Sequence, residues 1–146
     1  MTPISQIMEN FELLDDWEDR YRYVIELGGE LEPLTEAEHA PQYKVSGCAS
    51  QVWLISRIED GGADGPILHF RGDSDAHIVR GLIAILLAIY SGKSARAIGA
   101  LDAKALFEKM GLKDHLTQQR ANGLASMMAR IRTDAAAVLQ SASASE

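Results

Sequence analysis

Cys48 is the one thiol in the chain, and it lies in the run Val45-Ser46-Gly47-Cys48-Ala49-Ser50-Gln51-Val52-Trp53. A thiolate is an intrinsically strong nucleophile, and it attacks sulfur as readily as carbon. Gly47 frees the backbone for a turn that most residues resist, small residues flank the sulfur, and a strand-like run follows. That pattern puts the thiol at the tip of a loop anchored on a rigid sheet, a setting in which sulfur chemistry can occur. The plain alternative is a small buried hydrophobe, the usual state of a free cysteine. A Cys–His hydrolase is a third reading, but no local signature of such a nucleophile surrounds Cys48.

The other chemistry-bearing strings fail on spacing. Gly92-Lys93-Ser94 has the end of a phosphate loop, but position 87 is Leu where that loop requires Gly. Gly72-Asp73-Ser74-Asp75 opens like a calcium loop, yet the later Gly and bidentate Glu are missing, and a helix cap accounts for the acids better. His39, His69, His77 and His115 show no ligand spacing, so no metal site is expected. Met127 and Met128 fall in a helical apolar pattern and read as packing residues.

The elements that must carry Cys48 follow from periodicity. Ile4, Ile7, Met8, Phe11 and Leu14 mark an amphipathic helix over Ile4–Leu14. A second helix is predicted over Asp16–Leu27, with Trp17, Tyr21, Val24 and Ile25 on one face and Gly28-Gly29 as its stop. Glu30–Lys44, with Pro33 and Pro41, reads as an irregular connection. Gln51–Glu59 alternates with a period of two, Val52, Leu54 and Ile58 on one side. Ile67–Arg71 resumes the extended pattern after the turn Asp60–Pro66, which predicts an antiparallel hairpin. Tyr43–Ser46 is the candidate third strand. A helix capped by Asp73 or Ser74 runs to about Tyr90. Short helices at Ser94–Ile98 and Asp102–Met110 come next, then a long helix capped by Thr117. Helices around a small antiparallel sheet make an α+β fold. Residues 1–140 are expected to form one unit, with 141–146 as a frayed tail.

Composition narrows the function classes. The 146 residues hold 14 basic and 21 acidic side chains, a net charge of −7. That balance argues against a phosphate-backbone binder and against a polybasic membrane anchor. The most apolar stretch, Ile78–Tyr90, is interrupted by Arg80 and Gly81 and is 13 residues, short of the roughly 20 needed to span a bilayer. With a lone thiol and no export signal, the cytoplasm is the expected compartment. One cysteine also excludes a disulfide framework or an all-cysteine cluster site within the chain.

The Cys48 string resembles the cysteine motif of the SufE family of sulfur acceptors. Two further blocks keep the family order: Gly72-Asp73-Ser74-Asp75-Ala76 with Ile78-Val79-Arg80-Gly81-Leu82-Ile83-Ala84, and Phe107-Glu108-Lys109-Met110 with Leu112, His115-Leu116-Thr117, Arg120 and Gly123-Leu124. Ala49 departs from the pattern, standing where the family often has Gln. The resemblance implies a SufE/IscU-like α+β fold and a protein active in cysteine desulfuration for iron–sulfur cluster assembly. It implies Cys48 as nucleophile and persulfide carrier, with Gly47 and Ser50 supporting its loop and Trp53 or neighbouring apolar residues as candidate walls against oxidants. It also implies Asp75, His115 and Arg120 as partner-binding candidates. The implied partners are a pyridoxal-phosphate cysteine desulfurase (SufS-like) as donor and an iron–sulfur scaffold (SufB-like) as acceptor. The pyridoxal phosphate belongs to the donor, and no cofactor is expected in this chain. A CsdE-like acceptor serving a different desulfurase is the nearest alternative.

Overall fold

In the computed structural model, which describes residues 1–63 and 65–144, the chain begins with two helices. Helix α1 is Ile4–Leu13 and α2 is Trp17–Gly28. The side chain of Asp16 caps α2 by accepting from the Glu18 N–H, and Glu18 and Asp19 add favourable charge to its first turn. Strands β1 (Val52–Glu59) and β2 (Ile67–Ser74) pair antiparallel, from Val52 opposite Ser74 to Glu59 opposite Ile67. The glycine-rich turn joins them, and its Asp64 lies outside the described residues.

The third strand is not Tyr43–Ser46. Tyr43 ends a 3-10 turn, Pro41–Tyr43, and Lys44 makes only an isolated bridge to Trp53. Strand β3 is instead Lys93–Ser94, pairing with Leu68 and Ile67 on the other side of β2. Two residues are too few to show a periodicity. Backbone bonds from Gly92 N to Leu68 O and from Ala95 N to Pro66 O hold them there.

Helix α3 (His77–Tyr90) lies across the sheet and is buried nearly all round. Leu82, Ile83, Ile85, Leu86 and Ile89 are each at most 1% exposed, and each such side chain contributes about 1.5–3 kcal/mol through burial. It starts later than its sequence suggests. Asp73 and Ser74 belong to β2, where Phe70, Gly72 and Ser74 continue the buried face, and the N-cap is Ala76 with no side-chain bond. Ile58 shares the inward parity of Val52 and Leu54 but is 56% exposed; β1 is an edge strand, and the cover that buries Leu68 opposite Ile58 does not extend over it.

Helices α4 (Ala95–Ala100), α5 (Ala103–Lys109) and α6 (Gln118–Ala144) complete the fold. Ser94, Asp102 and Thr117 accept from the N–H groups of Ala97, Ala105 and Arg120. Helix α6 runs to Ala144, into the segment whose composition reads as tail; Ser145 and Glu146 lie outside the described residues. Six helices and a three-stranded antiparallel sheet, among the described residues, make an α+β fold. No helix there is long and apolar enough to cross a membrane.

Candidate functional site around Cys48

The loop that carries Cys48 is fastened at both ends. On the entry side the Val45 N–H donates to Val52 O at 2.8 Å. On the exit side the Gln51 N–H donates to Asp75 Oδ1 at 3.0 Å, and the Asp75 N–H returns a bond to Gln51 O at 3.3 Å. Asp75 therefore clasps the loop and caps no helix. Between these points Gly47 has φ +88°, and a Cβ there would come within 2.6 Å of Ser126 Oγ on α6. A residue with a side chain at 47 meets both a strained backbone and a clash.

Cys48 is half-buried against the first turns of α6, where its Sγ–H donates to the Gly123 carbonyl at 3.5 Å. Burial pushes the thiol above its ordinary pKa. The sulfur opens into a cavity of about 230 Å³. Val52 of β1, Val79 and Leu82 of α3, and Leu124 and Met127 of α6 form its apolar walls. Ser50, Thr117, Gln119 and Arg120 supply the polar part of its lining. The docked thiol is thus held neutral in a partly apolar niche, which slows oxidation and alkylation because both follow thiolate character and exposure.

The structure gathers some of the sequence candidates and separates others. Gly47 forms the loop turn, and Ser50 and Arg120 line the cavity with Cys48. The Arg120 side chain is half-buried and makes no ion pair among the described residues, so the structural ion pair that its type suggests is not what holds it. His115 is exposed and stacks on Trp17 of α2, ring centroids 3.5 Å apart, and it does not line the cavity. Trp53 is no wall of the cavity either. It faces the other way, edge-on to His39 at 4.8 Å. Alternation along β1 accounts for this, since Val52 and Trp53 point to opposite faces.

Two features escape sequence reading. One is the Gly123 carbonyl as partner of the thiol, which no side chain signals. The other is the clasp by Asp75, whose residue type is visible but whose partner is set only by the hairpin register. No histidine lines the cavity, so a Cys–His hydrolase lacks its base among the described residues. No three His, Cys, Asp or Glu side chains converge there as a metal site would require.

The clasp makes a prediction. Asp75→Ala removes an acceptor at the loop's exit, and an exposed bond of this kind is worth about 1 kcal/mol or less. Alkylation of Cys48 by iodoacetamide at fixed pH should speed up by about fivefold, while Asp75→Asn, which keeps an acceptor oxygen, should change it far less. Equal rates in wild type and Asp75→Ala would show that the clasp does not restrain the loop.

Comparison with known proteins shows the family. Residues 5–135 match the family model described as SufE, Fe-S metabolism associated domain. A SufE-like protein of Rhizobium etli is 58% identical over 135 residues, covering 92% of this chain and 90% of its own. A SufE-like protein of Rhizobium meliloti is 56% identical over 135 residues, covering 92% of this chain and 96% of its own. The chain belongs to the SufE family of proteins associated with iron–sulfur metabolism.

Proposed function

We propose that this protein is a sulfur acceptor, taking sulfane sulfur from a cysteine desulfurase onto Cys48 and passing it toward an iron–sulfur scaffold. The observation that supports this best is the lone thiol on a fastened, glycine-jointed loop, docked over a cavity that has room for more than the thiol itself.

The chemistry is an exchange at divalent sulfur. The Cys48 thiolate attacks the outer sulfur of the donor's cysteine persulfide. The donor's S–S bond breaks, a new S–S bond forms on Cys48, and the donor cysteine leaves as thiolate. One sulfane sulfur changes carriers and no external oxidant or reductant is consumed. With a single cysteine, the chain has no internal thiol to discharge the persulfide as a disulfide.

The docked thiol must first leave its niche, because a neutral, half-buried sulfur is a poor nucleophile. Loop release exposes it to the donor and restores an ordinary thiolate fraction. After transfer, redocking carries the extra sulfur into the cavity, where the apolar walls from β1, α3 and α6 limit contact with water. In this reading Arg120, which lines the cavity and whose side chain makes no ion pair among the described residues, meets the anionic terminal sulfur or an acidic group of the donor. The donor in this reading is a SufS-like pyridoxal-phosphate enzyme, whose turnover rises as its persulfide is emptied. The final acceptor is a SufB-like scaffold, and the exchange takes place in the cytoplasm.

The test is intact-mass analysis without reductant, after incubation with a SufS-like cysteine desulfurase and free cysteine. Wild-type protein is expected to gain one sulfur atom that maps to Cys48. No gain, with the donor shown to be active and the thiol shown to be free, would overturn the acceptor reading.

A further inference from the structure

The segment that leads into the Cys48 loop is tied to β2 by two side chains of adjacent residues. Glu38 pairs with Arg71, and His39 pairs with Asp73. The first tie is insensitive to pH near neutrality, since Arg71 holds the Glu38 carboxyl down at about 2.

The second tie is different. His39 Nε2 lies 2.8 Å from Asp73 Oδ2, and Nδ1 lies 2.8 Å from the Thr35 carbonyl oxygen. Both neighbours are acceptors, so the ring makes both bonds only when both nitrogens carry a proton. A neutral imidazole has one N–H and must turn a lone pair on either the carboxylate or the carbonyl. The ring is half-buried and edge-on to Trp53, which leaves it little room to find other partners. Asp73 is held independently by the Ser74 N–H and by Arg80, whose Nε is 3.1 Å away, near enough for attraction though misaligned for a hydrogen bond. When the ring loses its proton, one of these two bonds and the charge attraction to Asp73 are lost; Asp73 stays held by its other partners and Glu38 by Arg71, so the His39 contact is the part that loosens.

The charged groups around this contact come from every element that meets it: Asp73 and Arg71 from β2, Arg80 from α3, and Glu38 beside His39 itself. Trp53 of β1 adds an uncharged face. Asp73 stands opposite Trp53 in the hairpin register, and Trp53 in turn bridges Lys44 at the mouth of the loop. The contact at His39 thus lies one paired strand position, Trp53, away from the point where the chain enters Val45–Cys48.

We propose that His39 is a proton-operated fastener on the limb leading into the Cys48 loop, holding the limb firmly when the ring is charged and loosening it when the ring is neutral, while the Glu38–Arg71 pair keeps it attached. His39 is a positioning residue in this device, and the device operates whether or not Cys48 carries sulfur. The bond to Asp73 raises the His39 pKa against the opposing effect of burial. The fastener is therefore complete below the ordinary imidazole range and is lost as pH rises through the raised value.

The test uses the full chain and compares amide hydrogen exchange of Val45 with that of Ile83 in the core of α3. Their ratio removes the common pH dependence of exchange. In the wild type the ratio should rise by about threefold from mildly acid to mildly alkaline pH, the size expected for losing one partly exposed charged contact. His39→Arg keeps a permanent charge facing Asp73 and should hold the ratio low and flat. His39→Gln, neutral at every pH, should hold it high and flat. A flat wild-type ratio, or the same step in His39→Gln, would overturn the proposal. If His39→Gln is too unstable to measure, a step that persists in His39→Arg overturns it equally.

Discussion

Cys48→Ser is expected to take up no sulfur from an active cysteine desulfurase, while its thermal midpoint should stay close to that of the wild type. The loss is expected to be complete, because the carrier is a bond to sulfur and a hydroxyl has none to offer. An alcohol is also barely ionised near neutral pH, so it does not attack a persulfide even when the loop is open. The fold should survive because the thiol contributes so little to it. Cys48 is half-buried, and the one side-chain hydrogen bond it makes among the described residues is a long 3.5 Å contact to the Gly123 carbonyl. The stability change should stay within about 1 kcal/mol, typical of a substitution that creates no large cavity and buries no unpaired group. Intact mass after incubation with donor and cysteine reads the first part, and a thermal melt reads the second. Residual uptake in Cys48→Ser would mean that sulfur attaches elsewhere or only adheres. A large drop in the midpoint with uptake unchanged in Cys48→Ala would return Cys48 to the role of a packing residue.

How far the site could be read from sequence depends on which link of the chain of causes each part belongs to. Local signals were legible. Asp16, Asp102 and Thr117 start helices in the structure as their types suggest, and the period of two in β1 and β2 yields the observed hairpin. Cys48, Gly47 and Ser50 stand out because a small-residue turn before a strand is itself a local pattern. What could not be read is what other elements bring to the loop. Asp75 looks like a helix cap in sequence, and its bond to Gln51 exists only because Val52 pairs with Ser74. The cavity walls come from α3 and α6, whose apolar stripes look like any core stripe. Trp53 and His115, the two aromatic candidates, stand out only by nearness in sequence or by family block. Strand alternation sends Trp53 to the far face, and stacking on Trp17 holds His115 away from the cavity.

The placement of those walls rests on a crossing that yields the second large effect. Gly81→Ala should destabilise the protein by about 3 kcal/mol or more, the upper end for overpacking, because the obstacle is backbone and cannot swing aside. A Cβ on Gly81 would lie 2.0 Å from the Val24 carbonyl oxygen and 2.6 Å from its carbonyl carbon. From the other side, a Cβ on Gly28 would lie 2.8 Å from the Gly81 nitrogen. Helices α2 and α3 thus touch backbone to backbone at a pair of glycines. In an open helix the same substitution gains up to about 1 kcal/mol, since alanine is the better helix former. Gly99 on α4 supplies that comparison: a Cβ there meets nothing within 4 Å, so Gly99→Ala should be neutral or stabilising. Denaturant titration of both variants reads the two signs, and a neutral Gly81→Ala would mean that the helices do not cross this closely. The consequence reaches the site because Val79 and Leu82 flank Gly81 and wall the cavity beside Cys48. If α3 is pushed off α2, that wall moves with it. Folded Gly81→Ala protein should then alkylate faster at Cys48 than the wild type, although position 81 does not line the cavity.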